Sequence, residues 1–247
     1  GVTVAKPAVE VTDAEGNVTY LANTKGFNTS NVTLKLIANV DDYNLNLNKA
    51  TGVVLDLNGF TFAKQINLNN GAELTIKDTS AEKTGKVIVD KKTNDTFAAI
   101  VIMRGSLTIE AGTIETTGTT GAIQASLATL NINGGKFVSQ GNGIELGTWA
   151  VSSSKYPNTV TMTDGEIVAE GYGIKDSDKC EGTTITITGG KINSKGACLD
   201  INTGTAAVSG GTFSNAGEYV ASMGGVVINA NNTVDNSKVV INGGTFN

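Results

Sequence analysis

Apolar residues in this chain fall into one recurring phrase: two at alternate positions, a glycine turn, then a third. It reads Leu107-Thr-Ile109-Glu-Ala-Gly112-Thr-Ile114, then Leu130-Asn-Ile132-Asn-Gly-Gly135-Lys-Phe137, then Val160-Thr-Met162-Thr-Asp-Gly165-Glu-Ile167. It continues as Ile185-Thr-Ile187-Thr-Gly-Gly190-Lys-Ile192, Ala206-Ala-Val208-Ser-Gly-Gly211-Thr-Phe213 and Val239-Val-Ile241-Asn-Gly-Gly244-Thr-Phe246. Alternation before the glycine is the pattern of a strand with one buried face. The turn glycines stand 23, 30, 25, 21 and 33 residues apart. A repeat of that length means stacked supersecondary units sharing one continuous core.

Stacking the phrases predicts three inward columns. The first holds Leu107, Leu130, Val160, Ile185, Ala206 and Val239, and the second Ile109, Ile132, Met162, Ile187, Val208 and Ile241. The third holds Ile114, Phe137, Ile167, Ile192, Phe213 and Phe246. A further strand signal follows in each unit at Ile123, Ile144, Ile174 and Cys198, which closes the coil. The fold predicted is all-β: a single-stranded, right-handed parallel β-helix of about eight coils with an N-terminal cap. Residues 1–50 are read as the cap and first strands, and 51–247 as the β-helix. At the glycine pair the backbone turns where side chains would collide. Lys136, Glu166 and Lys191 follow it in successive units, predicting a column of alternating charge. The sequence given stops in mid-unit, an arrangement that predicts more chain or another subunit over that end.

Composition narrows the chemistry. Glycine is abundant at 31 residues and proline scarce at 2, which suits many short strands joined by turns. A net charge of −5 argues against nucleic acid, whose phosphates need clustered Lys and Arg. No apolar stretch reaches membrane-spanning length. There is no histidine and a single arginine, Arg104. That removes the commonest general base and the commonest zinc ligand. Cys198 is read as an inward apolar residue and Cys180 as a turn residue, a pair poorly placed for a disulfide.

The run Thr33-Leu-Lys-Leu-Ile-Ala-Asn-Val40 leading to Val54-Leu-Asp-Leu-Asn-Gly59, then Leu74-Thr-Ile76 and the repeated Gly-Gly-Thr/Lys-Phe/Ile, is a recognisable combination. From about residue 30 to 247 the chain resembles the pectin-lyase-like right-handed β-helix modules of large secreted or surface proteins of gut bacteria. The resemblance implies extracellular or cell-surface placement and an adhesive role. Enzymatic members act on acidic polysaccharides, but none of the matched positions is catalytic.

Three sets of residues are weighed as sites. Trp149 and Tyr156 share one long connection, and Tyr172 falls in the next unit where Asn142 lies one unit earlier. Such rings can stack on sugars, so these three are the candidate ligand residues. Asp176 and Asp200 are read as equivalent positions in adjacent units; with Asp178 they form a candidate metal set, for which calcium is the fitting ion. As paired carboxylates they would instead suit a lyase or glycoside hydrolase. The outward pairs Thr161/Thr163 and Thr186/Thr188 are read as β-branched residues favoured on strands. The function expected is a non-enzymatic, adhesin-like module without cofactor, whose partner is a polysaccharide or cell-surface glycan. The alternatives are an enzyme on acidic polysaccharide and a structural spacer or phage-type fibre segment.

Overall fold

The computed structural model describes residues 6–90, 98–147, 155–216, 227–230 and 238–247. Among these there is no helix, and the chain winds as a parallel β-helix with three walls. Wall A stacks Val32–Leu36, Val53–Asp56, the later halves of Ile66–Lys77 and Ile100–Ile109, the earlier halves of Thr129–Ser139 and Thr159–Ala169, then Thr184–Ile187, Thr205–Val208 and Lys238–Ile241. Wall B runs from Thr61–Phe62 and Lys86–Val89 through Thr113–Thr116 to Lys191–Ser194, Thr212–Asn215 and Thr245–Phe246. Wall C runs from Leu45–Asn48 through Ile123–Ser126, Ile144–Leu146 and Ile174–Asp176 to Leu199–Ile201 and Ile228–Ala230. Every wall pairing is parallel, as expected when each strand meets the next coil's copy of itself.

The three predicted inward columns are present in register. Leu130 pairs with Leu107 and Val160, Ile132 with Ile109 and Met162, and Phe137 with Ile114 and Ile167. Ile132, Met162 and Ile187 have no exposed surface, so one core runs along the axis. It thins at the last coil, where Ile241 and Phe246 are exposed and Phe246 stacks on Phe213 at 4.9 Å. Lys136 also meets Glu166 as predicted, at 3.0 Å. On the outer face of wall A, Thr129, Thr159, Thr184 and Thr205 form one column.

The fourth column differs from the prediction. Ile123, Ile144 and Ile174 do stack on wall C, but the residue that continues them is Leu199, not Cys198. The match of Gly-Ala-Ile123 with Gly-Ala-Cys198 is misleading by one position. Cys198 lies beside Gly173, where a side chain would collide with its carbonyl oxygen. Cys198 is still buried, as is Cys180, and both thiols are free. Burial pushes both thiols above the usual cysteine range, which makes them poor nucleophiles.

Corners are of two kinds. Between walls A and B stands the glycine pair, with Gly190 at φ +87°. Between walls C and A residues with a Cβ take the left-handed region as well, Lys49, Asn70, Arg104 and Leu127 at φ 55–62°, beside glycines such as Gly71 at φ +92°. The only arginine therefore serves as a corner residue, in a conformation costing about 1 kcal/mol for a residue with a Cβ.

At the N-terminal end the pairing changes sense. Val9–Thr12 lies antiparallel to both Val18–Leu21 and Val32–Leu36, so a hairpin covers the first coil. Nearby, Asp78 closes the connection between Lys77 and Lys86. Its carboxylate accepts bonds from the backbone N–H of Gly59, Ser80 and Gly85 and from Ser80 Oγ, at 2.6–3.0 Å. Burial alone would raise its pKa, but the four bonds outweigh it and hold the carboxyl below its ordinary value. Asp78→Ala should therefore cost about 2–4 kcal/mol, since it leaves buried donors unpaired. The charged carboxylate contributes fully above about pH 4, and the contribution is lost as pH falls through the lowered folded-state pKa. Melting curves of Asp78→Asn between about pH 6 and pH 2 should accordingly show a shallower acid limb than the parent. Identical acid limbs would remove Asp78 as a source of acid lability.

Candidate functional site

The outward face of wall C carries the richest polar chemistry. Successive coils place Asn46, Asn67, Val101, Gln124, Glu145, Lys175, Asp200 and Asn229 side by side in one column. These outward positions alternate with the inward Ile123, Ile144 and Ile174, so the same pleat that builds the core aims them outward. Neighbours in the column bond to one another. Asn67 Nδ2 donates to Asn46 Oδ1 at 2.8 Å, and Gln124 Nε2 to Glu145 Oε2 at 2.8 Å. Asn229 Nδ2 donates to Asp200 Oδ1 at 2.7 Å, and Lys175 Nζ stands 3.8 Å from Asp200 Oδ2.

A groove of about 210 Å³ opens on this column between Asn142, Glu145, Leu146, Lys175, Asp176 and Ser177. Tyr172 lies beside it, half-buried, with its backbone N–H on Asn142 Oδ1 at 2.9 Å, and the pairing of Ile144 with Ile174 puts Tyr172 and Asn142 at equivalent positions, as expected. Lys175 Nζ lies 4.6 Å from the centre of the tyrosine ring. Burial, and to a smaller degree the charge of Asp200, raise the phenol pKa, so Tyr172 is a neutral hydroxyl at physiological pH. Asn142 Nδ2 donates to Glu145 Oε1 at 2.8 Å, fixing the carboxylate at the groove wall. The result is an ammonium, an amide and a carboxylate in an open depression, with an aromatic ring against the ammonium.

The acids predicted as a set are separated by the register. Asp200 pairs with Lys175, so it is not the counterpart of Asp176; the one-residue shift at Leu199 is the reason. Asp176 points inward, fully buried, and its carboxylate accepts the backbone N–H groups of Asn202, Thr203 and Gly204. Burial dominates there and raises its pKa despite those bonds. Asp178 is exposed, 3.5 Å from Lys179. Among the described residues no group of three or more Cys, Asp or Glu could hold a metal ion.

Of the candidate rings among the described residues, Tyr172 is the one beside a groove, through its contacts with the lining residues Asn142 and Lys175. Tyr156 is buried at 8% exposure and its backbone is tied to Lys179, so it packs against the coil and offers little surface to a ligand. Trp149 lies outside the described residues. The sequence reading missed a second, larger groove of about 480 Å³ on the same wall, around Lys25, Tyr43 and Lys64. Its residues come from the irregular first coils, where no repeat marked them; an exposed tyrosine close to two lysines was the available signal.

The walls, columns and corners define a three-walled parallel β-helix. Comparison of the chain with protein-family models, curated proteins and solved structures gives no match.

Proposed function

We propose that this chain is a non-enzymatic, adhesin-like β-helix module of a secreted or cell-surface bacterial protein, and that it binds glycans on wall C. The observation that carries this reading is the groove beside Tyr172. A ring edge and face, a fixed carboxylate, an amide and an ammonium are the groups that hold sugar rings and hydroxyls. They stand on adjacent strands of a rigid wall, so little ordering cost accompanies binding. The isolation of Asp176 from Asp200 supports a binding role over glycosidic cleavage, which requires two facing carboxyl groups.

A glycan array probed with the whole chain should give binding to a limited set of saccharides. Tyr172→Ala should weaken that binding about tenfold, roughly 1.4 kcal/mol, with little change in melting temperature. Absence of binding to any saccharide would leave the module as a spacer. Turnover of an acidic polysaccharide, abolished by Asp200→Ala, would make it an enzyme.

A further inference from the structure

We infer that the groove at the first coils is a second binding site, specific for a saccharide bearing carboxylate or sulfate groups. The sugar part of this inference rests on the glycan reading above; the anionic part rests on the groove alone. The argument comes from what each lining group still has to offer.

Tyr43 is 38% exposed just ahead of the strand Leu45–Asn48, and its backbone carbonyl is held by the buried Thr24 hydroxyl at 3.0 Å. Lys25 Nζ lies 5.1 Å from the centre of its ring, which fixes the ammonium over the depression. Lys64 also lines the groove, and among the described residues neither lysine forms an ion pair. Three side-chain amides also line it, of which Gln65 donates its Nε2 to the Ala98 carbonyl at 2.9 Å, leaving Asn44 and Asn46. Asn44 Oδ1 accepts the Gln65 N–H at 3.2 Å, and Asn46 Oδ1 accepts Asn67 Nδ2 at 2.8 Å. Both amide oxygens are thus engaged, and among the described residues neither NH₂ group donates to a partner. Among the described residues Asp42 is the one acid in the lining, and its Oδ2 accepts Asn23 Nδ2 at 2.9 Å.

The groove therefore presents two ammonium groups, two amide donors and a phenol around an aromatic ring. A ligand that fits must bring acceptors, at best charged ones, because bonds between ammonium and an anionic oxygen are about twice as strong as neutral ones. The groove beside Tyr172 has the opposite balance, with the Glu145 carboxylate on its wall and Lys175 beside Asp200. Five strand steps separate Asn46 from Lys175 in the outward column, roughly 24 Å at the usual strand spacing. A short oligosaccharide therefore occupies one groove without touching the other.

The test is a titration of the whole chain with three short oligosaccharides matched in length: carboxylated, sulfated and neutral. Inorganic sulfate serves as a fourth ligand. The expected result is binding of at least one anionic oligosaccharide, weakening as salt is raised. Lys25→Ala and Lys64→Ala should each weaken it about tenfold and Tyr172→Ala should leave it unchanged. Both lysines lie at the surface, and a melting curve confirms that the variants stay folded. Anionic oligosaccharides that fail to bind, or bind equally well to both lysine variants, overturn the inference, and neutral binding dependent on Tyr172 would still uphold the reading above. Inorganic sulfate binding as tightly as the oligosaccharides overturns the sugar part. Anionic binding lost with the lysines, without any Tyr172-dependent binding, overturns the Tyr172 groove and leaves this site standing.

Discussion

Ile187→Asp should destabilise the β-helix by at least about 4 kcal/mol, enough to abolish cooperative folding of the central coils. Ile187 has no exposed surface and pairs with Met162 on one side and Val208 on the other. A carboxylate there has no donor in reach, because its neighbours in the column are apolar. It must either carry a buried unpaired charge or take up a proton at a shifted pKa, and both cost free energy. The apolar contacts of the isoleucine are lost as well. In a solenoid each coil is held by its neighbours, so the damage spreads to both sides. Thermal unfolding followed by circular dichroism reads the effect directly. Ile187→Val is the control and should cost only about 1 kcal/mol. An aspartate variant melting within a degree of the parent would contradict the inward column.

Gly189→Ala should cost about 2–4 kcal/mol although it adds a single methyl group to a corner. A Cβ on Gly189 would fall inside the van der Waals sphere of the Thr163 carbonyl oxygen one coil earlier. That oxygen is backbone and cannot rotate aside, so relief requires the two coils to separate locally. The adjacent Gly190 is needed for two reasons: its backbone occupies the left-handed region at φ +87°, and a Cβ there would also meet the Gly165 carbonyl oxygen and Met162 Cε of the coil before. Gly190→Asn should accordingly be less damaging than Gly190→Val, since asparagine tolerates that region better than a β-branched residue. In melting temperature, Gly189→Ala reads close approach alone, while the difference between the two Gly190 variants reads how far the side chain tolerates the left-handed backbone at equal Cβ crowding. If Gly189→Ala melts with the parent, the coils are not packed as closely at this corner as the structure has them.

The core was legible because its signal is local. Leu130, Ile132 and Phe137 declare their inward orientation through alternation and a glycine, and each is inward in the structure. The Gly-Gly corner could be read for the same reason. The C-to-A corner could not, because Lys49, Arg104 and Leu127 carry no compositional mark of a left-handed backbone. The candidate site was half legible. Tyr172 is reached from its equivalence to Asn142, and in the structure it touches Asn142 and Lys175, which line a groove. The acid set was not, since the Asp176 carboxylate is bonded to backbone N–H groups some 26–28 residues onward in the chain.

By itself, then, the sequence determined which residues face inward, that strands return at 21- to 33-residue intervals, and that coils stack in parallel. These follow from strand periodicity and turn chemistry, which act over a few residues. Only the tertiary structure decided what lies beside what. Connections of unequal length let the lateral register slip by one residue at Cys198 and Leu199 without exposing either. That slip sets Asp200 beside Lys175, and it is invisible locally because both residues satisfy the core equally well. The groove at Lys25, Tyr43 and Lys64 has the same origin. Its donors come from loops some 20 residues apart, and only the winding of the first coils brings them together.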